Sequence, residues 1–557
     1  MPEYADYLPP RARCVVEFGC GAGEAGRRFK QIQPACRYIG VDTDEEKLKL
    51  AAVSLDQTAQ QEFSSFDLAE HGIHAVDCLV YHDCFLQRSA LQKCLQAHIS
   101  KMREEGQVVF LLDNPGYFRR IATLWQGHTV PDCLQLALPD LVNLLKQCGL
   151  TLHRVIPQYV AADKELRESN DVQRLVQLWE KLQGRSTGDI WACGWVVCAA
   201  KLSEARPRFL IQTMIGERFA CARVRVQEPD RFTQTLFGVD TESRLYAADL
   251  RLGVRYAQKL IIRQRLRTRT PKDLQDIASI LHQGYVLVYE IDDNPLLWQK
   301  ECEAYDFVDF RCCHAVQVST PALADQLRQY NPNVVVFRNQ LTYLPEPRSY
   351  SADAPVTIFF GALNRQSEWH EIMPELNRVL RKYKDRVRVR VLFDHAFFDA
   401  LETPNREMLG SEYPYGFAPY EVYESALHGA DIALLPLRKT AFNCMKSDLK
   451  FIESAGHGAV VLASPTVYEE SVRDGCTGFL YHTPKEFRQK LELLIENREL
   501  RLDLARAAYS YVKEKRLLAQ HYEERMAFYR TLLPQLQERT PALLAQLKEI
   551  QLRTAGK

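Results

Sequence analysis

The stretch VVEFGCGAGEAG, residues 15–26, constrains the fold more than any other part of the chain. Its apolar start reads as a buried strand, and the glycines at 19, 21 and 23 demand a turn that few side chains tolerate. EAGRRFKQIQ then carries helical spacing. Strand, glycine turn and helix in that order build the edge of a parallel α/β sheet, where backbone can approach a ligand closely. The next strand, CRYIGVD, ends in Asp42, nineteen residues beyond Gly23. An acidic side chain there can accept both hydroxyls of a ribose.

Spacing separates two adenosine cofactors. A dinucleotide fingerprint, G-x-G-x-x-G/A, counted from Gly19 and Gly21 requires a small residue at position 24, where Glu24 stands. The actual order is Glu17, Gly19, Gly21, Gly23. It resembles motif I of class I S-adenosylmethionine-dependent methyltransferases, and the resemblance runs over about residues 10–203. AVDCLVYHDCFLQ stands where that family has its fourth strand, and GQVVFLLDNPGYF its fifth, with an Asn114–Pro115 turn. TLHRVIP and WVVCAAKL stand for the closing antiparallel pair. The resemblance implies that Glu17, Gly19, Gly21, Gly23 and Asp42 hold S-adenosylmethionine, and that Asp67, after a third strand, meets the adenine. His82 follows the fourth strand, either as a base within reach of an acceptor or as a packing residue at the strand end.

A chain of 557 residues is too long for one core. Pro207 in AAKLSEARPRFLIQ marks one break, and the prolines, serine and aspartate of FRNQLTYLPEPRSYSADAPVTIFFGAL mark another. Three α/β units follow, at 1–203, 206–345 and 354–557, with a helical tail from about Arg498. Lys plus Arg and Asp plus Glu balance at 71 each, so bulk charge points to no nucleic-acid partner. The 16 cysteines are scattered, several inside apolar runs (Cys78, Cys193, Cys198), and read as reduced thiols; no metal is expected. No basic-then-apolar leader and no membrane-length apolar run is present, so a cytoplasmic location is expected. Peripheral contact with the inner membrane is the alternative role of RQRLRTRT, with Arg263, Arg265, Arg267 and Arg269, which otherwise reads as a solvated loop.

The remaining motifs run in order: ACARVRVQEP, YEIDD, VSTPAL, FRN, the turn at Gly361, ADIALLPL and KSDLKFIESAGHGAVVLAS. Over about residues 208–535 this series resembles GT-B glycosyltransferases of the retaining family 4 or group 1 type. The fold class expected is therefore α/β, a Rossmann-like methyltransferase domain followed by two Rossmann-like domains. A nucleotide-sugar leaves a diphosphate whose charge needs cations or helix N-termini. The resemblance implies Gly361, Arg365 and Lys446 for that role, and Glu453 for the nucleotide ribose. The family's second glutamate, eight positions before Glu453, is Met445 here; Asn443 or Asp448 could make that contact instead. This departure leaves the sugar and the retaining or inverting outcome open.

Several residues carry two readings. Lys446 and Lys450, four apart on a helix face, serve the diphosphate or are solvated. Asp292 and Asp293 form a metal-binding pair or cap a turn, and Arg223 and Arg225, on a strand or loop, meet phosphate or solvent. LLAQHYEERMAFYRTLL is expected to pack back across the cleft with its aromatics in the core. The expected function is a bifunctional transferase that adds a sugar to a glycan, lipid-linked or protein acceptor and methylates that product or acceptor. The alternative is a small-molecule methyltransferase fused to a non-catalytic GT-B-like scaffold.

Overall fold

The short apolar runs become strands of three sheets in the computed structural model, which describes residues 4–82, 88–114, 116–125, 137–183, 190–201, 207–217, 221–348, 350, 354–362, 366–413 and 418–555. Two compact units partition the chain: Met1–Arg206 with Gln234–Gly238, and Pro207–Thr233 with Val239–Lys557. The five residues Gln234–Gly238 depart from a boundary at 206. The buried Gln107 amide donates to the Thr235 carbonyl (2.9 Å), and Arg154 donates to the Gln234 side chain (2.7 Å). Burial obliges such groups to find partners, and these lie beyond the apparent break.

The first unit holds β1 (Cys14–Phe18), β2 (Arg37–Asp42), β3 (Gln57–Gln60), β4 (Val76–Tyr81), β5 (Met102–Asp113), β6 (Thr151–Tyr159) and β7 (Ala192–Ala200). Their order is β3-β2-β1-β4-β5-β7-β6, with β1 to β5 parallel and β7 antiparallel to both neighbours. Every residue of β1 is buried, as a central parallel strand requires. Phe18, Tyr81 and Phe110 stack on one face, with centroids 5.0 and 4.9 Å apart; Phe29 and Tyr38 pack on the other. Strand order reverses between β1 and β4, which opens a crevice at their carboxyl ends.

The second unit has two parallel sheets. The first contains β8 (Phe209–Ile215), β9 (Val239–Leu245), β10 (Gln258–Gln264), β11 (Val286–Ile291), β12 (Ala315–Val318) and β13 (Val334–Val336), ordered β13-β12-β11-β10-β8-β9. The second contains β14 (Val356–Gly361), β15 (Val387–Leu392), β16 (Arg406–Leu409), β17 (Ile432–Leu435), β18 (Val460–Ala463) and β19 (Phe479–Leu480), ordered β16-β15-β14-β17-β18-β19. Its switch point lies between β14 and β17. Thr320 caps the helix Pro321–Leu327 by accepting from the Leu323 amide, and Pro321 supplies a first-turn φ.

The tail forms helices Arg498–Lys515, Tyr522–Leu532 and Leu536–Ala555. Leu543, Leu547 and Ile550 join the core around Ile277 and Leu281, so the chain returns to the first sheet of its unit. Tyr522 and Tyr529 are buried, and the Tyr529 hydroxyl donates to Gln317 (2.7 Å).

Two local readings are corrected. ACARVRVQEP is helical: Arg223–Gln227 is a π-helical turn that runs into Glu228–Thr233. Its strand-like alternation arises because Arg225 is drawn inward to a buried pair with Glu290 (2.6 Å), while Arg223 lies over the Tyr420 ring. RQRLRTRT is not a solvated loop either. Arg263, on β10, is buried against Asp309 (2.6 Å), Arg265 pairs with Asp292 (3.2 Å), and Arg267 lies over Trp298; Arg269 is exposed. Their partners are distant in sequence, so the charge run alone suggested solvent.

Candidate active sites

The glycine turn of the first unit is anchored by the Gly19 amide, which donates to the Val41 carbonyl of β2 (2.8 Å). Gly19, Gly21 and Gly23 all have positive φ, at 81°, 55° and 77°. A Cβ on Gly19 would lie 2.9 Å from His82 Cβ, whereas one on Gly21 would enter open space. Asp42, half-buried at the end of β2, accepts from the Gly21 amide (2.8 Å) through one oxygen and the Asp44 amide (3.0 Å) through the other. A carboxylate oxygen has two lone pairs, so neither bond exhausts Asp42. Asp67 is exposed and accepts from the Ala69 amide (2.7 Å). The turn thus leaves open space at Gly21 beside an acidic strand end.

Glu17 and His82 are brought together. Glu17 is fully buried, and its carboxylate accepts from Tyr4, from Tyr38 (3.0 Å) and from His82 Nε2 (2.6 Å). Burial, and then the Glu17 charge, push the Tyr4 and Tyr38 phenols far above the ordinary tyrosine range, so both remain donors. His82 thus rests on the glycine turn, tied to the strand that precedes it.

The second unit has a cleft of about 820 Å³ where β14 and β17 end, facing the end of β11. Asp292, Asp293, Gly361, Lys446, Ser447 and Lys450 contribute to its lining. Lys446 lies in an extended turn before the helix Leu449–Gly456, so the two lysines do not share a helix face. Both enter the cleft instead: Lys446 Nζ lies 3.4 Å from Asp293, and Lys450 Nζ donates to the Gly361 carbonyl (2.7 Å). Two ammonium groups beside a helix N-terminus suit a diphosphate.

The other residues expected here have protein partners. Glu453 is buried, and its carboxylate accepts from Tyr420 (2.7 Å) and Tyr423 (2.9 Å); burial raises its pKa. Asn443 donates to Glu368 (3.0 and 3.1 Å) and to the Arg438 carbonyl (2.9 Å). Asp448 is buried in a two-oxygen pair with Arg516 (2.5 and 2.9 Å). Met445 packs at the first sheet's core, and its carbonyl accepts from Thr320 (2.9 Å). Arg365 lies outside the described residues, as does Pro115. Sequence reasoning missed Tyr420, Tyr423, Glu368 and Arg516, which no local motif signals.

Residues 386–531 match the family model described as glycosyl transferase-like. With the strand orders, this gives an α/β chain of one seven-stranded mixed sheet and two six-stranded parallel sheets, with a glycosyl transferase-like segment in its C-terminal region. Among solved structures, a SAM-dependent methyltransferase from Archaeoglobus fulgidus is 18% identical over 36% of this chain and 90% of its own, with TM-score 0.27. Anabaena HepE, in complex with UDP and glucose, is 14% identical over 58% of this chain and 100% of its own, with TM-score 0.41. A glycosyltransferase from Rickettsia africae is 10% identical over 58% and 99%, with TM-score 0.43. No curated protein matches the chain by sequence. Among the described residues, no helix is long and apolar enough to cross a membrane.

Proposed function

We propose that the chain is a bifunctional transferase that moves a sugar from a nucleotide-sugar to a glycan or glycoconjugate and O-methylates that product or its acceptor. Residues 1–203 would bind S-adenosylmethionine through Gly19, Gly21, Gly23, Asp42 and Asp67. Residues 206–345 would present the acceptor, and residues 354–557 would hold the nucleotide-sugar with Gly361, Lys446 and Lys450. The observation that carries this reading is one chain with two crevices at strand-order reversals, one beside an acidic strand end and one beside two lysines.

Bound S-adenosylmethionine supplies an activated methyl group. The protein's share is alignment, with His82 as the base for the acceptor hydroxyl. In the second unit, Lys446 and Lys450 would neutralise charge growing on the departing diphosphate. Glu453 accepts from one phenol on each oxygen and would meet a ribose hydroxyl through its remaining lone pairs. The pairing of Arg263 and Arg265 removes the support for membrane contact through that run. Surface polysaccharide is the acceptor class that joins the two activities most simply.

The test is to supply nucleotide-sugars and simple glycans to the purified chain, then labelled S-adenosylmethionine. Label on the glycosylated product is expected; label confined to unrelated small molecules would defeat the coupled reading. Gly19→Arg should abolish methylation and leave glycosyl transfer intact.

A further inference from the structure

A guanidinium only donates, so whatever atom it bonds must accept. Arg225 is buried; its Nε donates to Glu290 (2.6 Å), and its Nη1 donates to the Phe337 carbonyl and to Asn339 Oδ1 (2.9 Å). This fixes the orientation of the Asn339 amide. Its oxygen faces Arg225, and its Nδ2 donates to Ser447 Oγ (2.8 Å). A serine hydroxyl has two lone pairs and a single O–H. Asn339 takes a lone pair, which leaves the O–H to donate elsewhere, and among the described residues nothing accepts it. Glu290 and Asn339 are also buried, so the chain of bonds has a set direction from Arg225 to Ser447. Ser447 is half-buried and lines the second unit's cleft beside Lys446 and Lys450.

We infer that Ser447 donates its hydroxyl hydrogen to a diphosphate oxygen of the nucleotide-sugar, and that Asn339 and Arg225 are positioning residues that keep this hydrogen available to the ligand. This rests on the glycosyltransferase reading of the second unit. The ligand's chemistry follows from the wall it meets. Lys446, Ser447 and Lys450 present N–H and O–H groups, and Asp292 and Asp293 stand on the opposite side. A sugar hydroxyl both donates and accepts, whereas an ionised diphosphate only accepts, so a wall of donors suits the diphosphate. A hydrogen bond to an ionised acceptor is also roughly twice as strong as a neutral one.

This chain of bonds joins four separate sequence motifs: ACARVRVQEP supplies Arg225, YEIDD supplies Glu290, FRN supplies Asn339 and KSDLKFIE supplies Ser447. Arg225 does not itself line the cleft; it acts through Asn339.

The test uses the full chain and calorimetry with UDP, GDP and dTDP, carrying the tightest-bound diphosphate through the variants. Ser447→Ala should lower its affinity at least fivefold and move a 31P resonance of the bound diphosphate. Asn339→Asp keeps an acceptor for Arg225, but the new carboxylate also accepts from Ser447 and draws its hydrogen from the cleft. It should likewise lose at least fivefold, and adding Ser447→Ala to it should change affinity by less than twofold. The added charge acts with or without the hydroxyl, so it cannot produce that cancellation. Multiplied losses in the double variant overturn the positioning role, because a hydrogen already captured cannot be lost again. Unchanged affinity in Asn339→Asp does the same, whether or not Ser447→Ala folds. Unchanged affinity in Ser447→Ala, or a loss with unmoved 31P resonances, overturns the contact; the latter would place the hydroxyl's ligand in the adjoining cavity of about 800 Å³ that Ser447 also lines. Failure of the unsubstituted chain to bind any of the three diphosphates would instead sink the glycosyltransferase reading, a result distinct from an unaffected variant.

Discussion

Lys446 Nζ lies 3.4 Å from Asp293 Oδ1, joining opposite walls of the second unit's cleft. A diphosphate entering the cleft must compete with Asp293 for that ammonium. A partly buried pair of this length is worth about 1 kcal/mol. Asp293→Asn should therefore raise affinity for a nucleoside diphosphate three- to tenfold, and Lys446→Ala should lower it at least tenfold. Calorimetry with UDP, GDP and dTDP reads both effects. Equal affinity in Asp293→Asn and the unsubstituted protein would remove the competition.

The glycine turn makes a second prediction. Gly21→Ala places a methyl group in open space at φ 55°, where an ordinary residue pays roughly 1–2 kcal/mol. Gly19→Ala adds the same backbone strain and drives a methyl group onto His82. Both should weaken S-adenosylmethionine binding tenfold or more. Only Gly19→Ala should also perturb the His82 ring signal in 15N spectra. Retained affinity in Gly21→Ala would mean that the cofactor does not lie over that turn.

The parts legible in sequence were those fixed by neighbours along the chain. Cys14 through Asp42 spans strand, turn, helix and strand, and each step constrains the next; the structure has the same order. Glu453, Asp448 and Asn443 were harder. Motif spacing gives a residue's place on its element but not the side chain that meets it. The Tyr420 hydroxyl, the Arg516 guanidinium and the Glu368 carboxylate reach those three from 33, 68 and 75 residues away. Arg263 taught the same point: its charge run looked solvated until Asp309, 46 residues on, proved to be its buried partner.

His314 makes the second unit sensitive to mild acid. Its Nδ1 accepts from the Leu287 amide (3.0 Å), so Nε2–H faces Thr540 on the last helix (3.1 Å). Burial, and then the nearby Arg539 charge, lower its pKa to about 4. With the folded value below the unfolded one near 6.5, the unfolded chain binds protons first as pH falls. Stability from this residue is full above pH 6.5 and is lost progressively towards pH 4, by up to about 3 kcal/mol. Denaturant unfolding from pH 7 to 4 should show this loss, reduced in His314→Gln. An equal slope in both proteins would rule His314 out as its source.

Asp448 and Arg516 make the opposite case, a pair whose loss is felt most at neutral pH. Burial alone would raise the Asp448 pKa, but Arg516 and the Ser471 hydroxyl more than offset it and hold it below the usual carboxylate range. Arg516 also donates to the Asn339 carbonyl (2.9 Å), and its own carbonyl accepts from the Leu341 amide (2.9 Å), so the pair anchors the segment between the two sheets of the unit. Asp448→Asn leaves a guanidinium buried without its carboxylate, which costs about 3–5 kcal/mol. A depressed folded pKa means that the contribution is complete above about pH 4 and disappears as pH falls through the folded value. The stability gap between the two proteins should therefore be widest near pH 7 and narrow below pH 4. A gap independent of pH would mean that Asp448 acts by packing and hydrogen bonding rather than through its charge.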